Sequence, residues 1–233
     1  VCPGLPQEAN RLGDVFGHMM NYGDGWYGGL FMQGMYCAAY FENRDVVKVI
    51  EAGLACIPAE SRYAGCIRDV LTWWRETPHD WRATWRKIEA KYNDDLDCVP
   101  GKAFNINAHL NGAYIVMGLL YGGDDFWRVC EIATRCGQDS DCNPSSAAGV
   151  WGCMHGLAGI PAEAHAGLPQ LGDRKFAHTR YSYGELRAAC RRVTEQIIRR
   201  AGGKVSPTEF RIPVQPPKPA PLEQWAGPPV KAV

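Results

Sequence analysis

The chain has 233 residues, 46% of them apolar, and 25 acidic side chains balance 25 basic ones to a formal net charge of zero. That length and apolar content can bury one substantial core, whereas the lack of a basic surplus argues against nucleic acid as a partner. No run of about 18 uncharged apolar residues occurs, so no membrane span is predicted.

Periodicity is helical nearly throughout. From Gly28, the stretch GGLFMQGMYCAAYFEN sets Leu30, Phe31, Gly34, Met35, Ala38, Ala39 and Phe41 in one broad stripe at i, i+3, i+4 spacing. A second helix is predicted from an Asp45 N-cap to the stop at Pro58, and a third over 61–76. A fourth starts near Asp80 with Trp81, Trp85, Ile88 and Tyr92 on one face. After a polar loop around 94–102, apolar helices are predicted over 111–121, 124–136 and 143–156, and a polar one over 183–201. No alternating strand run and no repeat is visible, so the expected fold class is all-α. The tryptophans at 73, 74, 81 and 85 read as packing residues. Arg191-Arg192 and Arg199-Arg200 read as a solvated helix face rather than a phosphate track. From Val205 the chain holds eight prolines, which predicts an extended strap or linker toward a further domain.

The ten cysteines form no CxxC pair. Neither a zinc site nor a disulfide scaffold fits that spacing, so free and mostly buried thiols are expected, in a reducing, cytoplasmic setting. The opening Val1-Cys2-Pro3-Gly4 carries no charged, apolar leader, and no signal peptide is expected.

Three stretches carry candidate chemistry. In Cys136-Gly-Gln-Asp139-Ser-Asp141-Cys142-Asn143-Pro144, two carboxylates precede a helix announced by Asn143 as N-cap and Pro144 at N1. An Asp-x-Asp turn can aim both carboxylates at one hard cation, or the pair can be turn and capping residues. In Asn21-Tyr22-Gly23-Asp24-Gly25, the glycines allow positive φ and close approach of backbone to a ligand, or simply start a helix. Asn107, His109 and Asn111 precede an apolar helix as caps, edge residues or ligands. His155 reads as a packed helix residue.

The run CGQDSDCNPSSAAGVWGCMHGLAGIP closely resembles the C-terminal metal motif of ADP-ribosylglycohydrolases, and the resemblance covers most of residues 1 to about 200. It implies an orthogonal multi-helix bundle over 1–203, with 204–233 as a proline-rich tail. It implies a dinuclear Mg²⁺ or Mn²⁺ centre with Asp139 and Asp141 among its ligands. Cys142 stands where the family has a Thr or Ser oxygen, and a thiol suits a hard ion poorly. By the same resemblance Tyr22, Gly23, Asp24 and Gly25 line an ADP-ribose pocket, with Asn107 and His109 as further substrate contacts. The implied activity is hydrolysis of an ADP-ribosyl N- or O-glycosidic bond, on a modified protein or a small-molecule glycoside. Alternatives are another glycoside on the same fold and a non-catalytic ADP-ribose-binding module. The family's adjacent-aspartate set and catalytic acid have no match here. The catalytic residue is therefore expected upstream of residue 1, and this chain alone is expected to have little hydrolase activity.

Overall fold

The computed structural model describes residues 1–93 and 106–223. The predicted loop at 94–102, including Asp94-Asp95 and Cys98, lies outside the described residues. The chain is helical over Pro6–Gly17 (α1), Asp24–Ala39 (α2), Val46–Leu54 (α3), Arg62–Glu76 (α4) and Trp81–Tyr92 (α5). It continues with Ala108–Gly122 (α6), Phe126–Arg135 (α7), Cys142–His155 (α8), two single-turn helices Ala162–His165 (α9) and Leu168–Leu171 (α10), and Tyr183–Arg200 (α11).

Helix starts follow the local chemistry. The side chains of Asp45, Ser61, Asp80 and Asp125 each accept a first-turn amide as N-caps, and Ser182 with Glu185 forms a full capping box. Helix α6 is the axis of the bundle, buried from His109 through Gly122. Helices α2, α4, α5, α7 and α8 pack around it, with α3 on α2 and α1 on the outside of α2. Small residues set these distances: Gly122 lies directly over the Val129 backbone, where a Cβ would meet Cα at 2.6 Å.

Helix α1 was not expected from periodicity. Its buried face is Pro6, Ala9 and Gly13, too small to register as an apolar stripe. Trp26 completes the contact by donating its indole N–H to Gly13 O at 3.1 Å.

Two short strands after α11 also depart from expectation. Lys204–Val205 (β1) pairs antiparallel with Phe210–Arg211 (β2), strands too short to show alternation. They sit on a small second core formed by Leu5, Cys37, Ile197 and Ile198. The chain then runs extended over α1, where Gln215 Oε1 accepts Gln7 N at 2.9 Å and Lys218 O accepts Asn10 Nδ2 at 3.0 Å. Arg191 and Arg199 pair with Glu195, and Arg200 with Glu8, as a solvated face would. Nine described cysteines are free thiols; burial pushes the Cys56 thiol up to about 11 and Cys37, also beside Cys2 and Cys56, up to about 12.

Candidate functional site

The turn between α7 and α8 carries the two aspartates. Gly137 at φ +100° and Gln138 at φ +52° reverse the chain in two left-handed residues. For Gln138 that conformation costs on the order of 1–2 kcal/mol, so something must hold it. Asn111, on the first turn of α6, does so. Its Nδ2 donates to Gln138 Oε1 at 2.9 Å and to Asn107 O at 3.0 Å. Its Oδ1 accepts Asp139 N at 3.2 Å and Asn143 Nδ2 at 2.8 Å. Both donors and both lone pairs of one amide are thereby used.

On this frame Asp139, Asp141 and Cys142 present ligand atoms within 4.8 Å of one another. Asp139 Oδ1 accepts the Cys142 amide at 3.3 Å; Asp141 and Cys142 are exposed. The Cys142 thiol is pushed up by its hydrogen bond to Asp139, then by the charges of Asp139 and Asp141. A soft sulfur at this position is unsuited to a hard cation. Two convergent, water-accessible carboxylates fit what Mg²⁺ or Mn²⁺ takes from a protein; the thiol does not. Helix α8 begins at Cys142 with Asp141 as N-cap, two residues before the expected Asn143 cap. Asn143 is no cap but a buried linker, 1% exposed, tied to Asn111 and to Gly137 O.

The second predicted stretch forms the head of α2. Gly23 takes φ +54° and serves as the N-cap, in keeping with the expected need for glycine. Gly25 is instead helical, and the nearest atom to its Cβ position is Oδ1 of the exposed Asn21 side chain, at 2.9 Å, so no positive φ is needed there. Asp24 turns inward. Its Oδ1 accepts the Tyr63 amide at 3.2 Å, and its Oδ2 lies 3.6 Å from His109 Nδ1. His109 is buried, with Nε2 3.3 Å from Tyr92 O. Tyr22 is exposed, its ring 5.3 Å from that of His18. Asn107 is the N-cap of α6, and its carbonyl receives both the amide and the side chain of Asn111.

The first turn of α6 thus joins the two stretches: His109 reaches Asp24, and Asn111 reaches Asp139. The heads of α2, α4, α6 and α8 are linked by side-chain bonds, bringing the predicted residues to one connected region. Reading the sequence missed Asn111 as the organiser. The available signal was an Asn opening a long apolar run, because a buried amide must find partners. His155 behaves as expected, stacked on Trp151 with centroids 3.7 Å apart and Nε2 3.1 Å from Asp124 Oδ1.

A model of the ADP-ribosylglycohydrolase family matches residues 1–202. The chain belongs to this family. Its all-helical architecture agrees with the family fold, and membership assigns it to glycohydrolase-type chemistry that is generally metal-dependent. No curated protein and no solved structure matches the chain. Among the described residues, no helix is long and apolar enough to cross a membrane.

Proposed function

We propose that the chain supplies Asp139 and Asp141 to a Mg²⁺ or Mn²⁺ centre that serves hydrolysis of an ADP-ribosyl N- or O-glycosidic bond. The observation that carries this reading is the convergence of those two carboxylates on a turn held by Asn111. Asp139 and Asp141 would hold a divalent ion there, which would supply Lewis-acid chemistry for the hydrolysis. The residues around it bind and position. Asn111 and Asn143 fix the turn, so the carboxylates need little reordering to meet an ion. The Gly23 amide, at a helix head, favours phosphate oxygens. Asp24 locks α2 to α4 and faces α6, and its side chain, 27% exposed, keeps an edge that can accept a ribose hydroxyl. Tyr22 offers an exposed ring, and Asn107 a side chain at the head of α6. Cleavage would pass through an oxocarbenium-like state; no described residue is assigned to handle its proton.

Calorimetry with ADP-ribose, in Mg²⁺ and in chelator, tests this reading. Metal-dependent binding that Asp139→Asn abolishes supports it, as does metal-dependent release of ADP-ribose from ADP-ribosyl-arginine or ADP-ribosyl-serine. Binding that ignores metal and gives no turnover would make the chain a binding module. No binding under either condition contradicts the reading.

A further inference from the structure

The strap over residues 212–223 ends at the head of α2, the same stretch assigned above to ligand. Ala220 N donates to Cys56 O at 3.1 Å. Tyr27 Oη donates to Pro221 O at 3.4 Å and accepts from Glu223 N at 2.5 Å. The Glu223 carboxylate then divides: Oε2 accepts the Gly23 amide at 2.6 Å, and Oε1 lies 2.7 Å from His18 Nε2.

His18 is built to receive that carboxylate. Its Nδ1 lies 2.8 Å from Asp14 O and 3.1 Å from Asp14 Oδ1. Both ring nitrogens face acceptors, which an imidazolium satisfies with two donated bonds and a neutral ring cannot. The rings of Tyr22 and Trp26 flank it, with centroids 5.3 and 4.1 Å away. Partial desolvation works against the charged ring, but the Glu223 bond and the Asp14 contacts outweigh it and raise the pKa above its ordinary value.

Elsewhere the strap is held by neutral hydrogen bonds at Gln215, Pro216, Lys218 and Ala220. It has no ladder after β2, and a cavity of about 380 Å³ lies between Lys218–Pro221 and the side chains of Gln7, Asn10, Asp14, Trp26 and Leu30. Asn10 Oδ1 is buried there without a donor. Its prolines (213, 216, 217, 219 and 221) stiffen the extended conformation, so little entropy is lost on docking and little regained on release. The charge-assisted contacts at its end are the strongest of its bonds.

We propose that residues 212–223 form a latch in which the Glu223 carboxylate occupies the anion position at the Gly23 amide, and a pyrophosphate-bearing ligand displaces it. The identity of the competitor rests on the functional reading above, whereas the latch rests on the contacts of Glu223. While docked, the strap withholds the one Gly23 donor from ligand. Once a ligand takes that amide, the Glu223 carboxylate keeps only His18, and the strap lifts from its Glu223 side.

Hydrogen exchange followed by mass spectrometry on the full chain tests this, using wild type, Glu223→Gln and Glu223→Ala, with and without Mg²⁺–ADP-ribose and with inorganic pyrophosphate as the simpler probe. The latch predicts faster exchange over 18–27 and 212–223 in both variants. In wild type, either ligand should slow exchange over 18–27 while accelerating it over 212–223. If the latch is closed about 90% of the time, Glu223→Ala should bind ADP-ribose about tenfold more tightly. Unchanged exchange over 18–27 in both variants overturns the latch, as does a wild-type strap that stays protected with ligand bound. A chain that binds neither probe, yet shows the expected exchange in Glu223→Ala, contradicts the functional reading and leaves the latch standing.

Discussion

Asn111 Oδ1 accepts a hydrogen bond from Asn143 Nδ2 at 2.8 Å, and both side chains are buried. This single bond joins the central helix to the first turn of α8, and the same oxygen holds the Asp139 amide. Replacing Asn111 by Leu keeps the branched shape and removes the partner of Asp139 N, of Gln138 Oε1 and of one Asn143 Nδ2 proton. Each buried polar group left unpaired costs roughly 1–3 kcal/mol. Asn111→Leu should therefore lower the unfolding midpoint and weaken Mn²⁺ binding about tenfold or more. A variant that loses stability but retains wild-type Mn²⁺ affinity would show that the turn needs no such support.

Cys142 tests whether the thiol takes part. Its pKa is raised by Asp139, so less thiolate is present at a given pH than in an unperturbed cysteine. Alkylation of this exposed thiol by iodoacetamide should be slow at neutral pH and rise through a midpoint above the ordinary one. Cys142→Ala should leave Mn²⁺ affinity within about threefold of wild type, and Cys142→Ser, with a hard oxygen, should strengthen it. A large loss in Cys142→Ala would make the sulfur a ligand.

His18 gives the strap a pH dependence whose sign is determined. Its folded pKa lies above the ordinary 6.5. The contribution to stability is thus complete below that unfolded value and is lost as pH rises through the raised folded one. The gap in Tm between wild type and His18→Gln should be widest in mild acid and should narrow toward alkaline pH. Asp14 and Glu223 are the charged groups facing the ring, so Glu223→Gln should flatten most of this dependence. A pH-independent gap would contradict it.

Two glycines should respond in opposite directions. A Cβ at Gly122 would sit 2.6 Å from backbone atoms of Val129, which cannot rotate away, and overpacking of this kind costs about 1–3 kcal/mol. Gly29 lies inside α2 with nothing within 4 Å of its Cβ position. There alanine should stabilise by about 0.5–1 kcal/mol through helix propensity. Thermal unfolding of Gly122→Ala and Gly29→Ala reads both, and a destabilised Gly29→Ala would show that the open surface beside α2 is needed as it is.

The helices with large apolar stripes and polar caps were legible in the sequence because both signals are local. Asp45, Ser61 and Asp80 mark starts where the chain does turn into helix, and the apolar run after Asn111 is the buried axis. Helix α1 was not legible, since it packs through Ala9 and Gly13 rather than through large side chains. The site was legible as residue types, but its wiring was not. Asp139 and Asp141 carry a recognisable spacing, whereas the bond from Asn111 spans 28 residues to the Asp139 amide and 32 to Asn143. The contact of Glu223 with Gly23 spans 200. Such pairings follow from how helices pack, and no local pattern encodes them. Asn143 was misread for the same reason: before a proline it resembles a cap, and only its burial reveals the partner.

The proposed metal role requires the carboxylates of Asp139 and Asp141 to act together on a hard cation. Titration of the chain with Mn²⁺, following free ion by electron paramagnetic resonance, measures this directly. Saturable binding that Mg²⁺ displaces is expected, with Asp139→Asn and Asp141→Asn each weakening it by tenfold or more, about 1.4 kcal/mol. Saturable binding that survives both substitutions, or no binding in wild type, would contradict it.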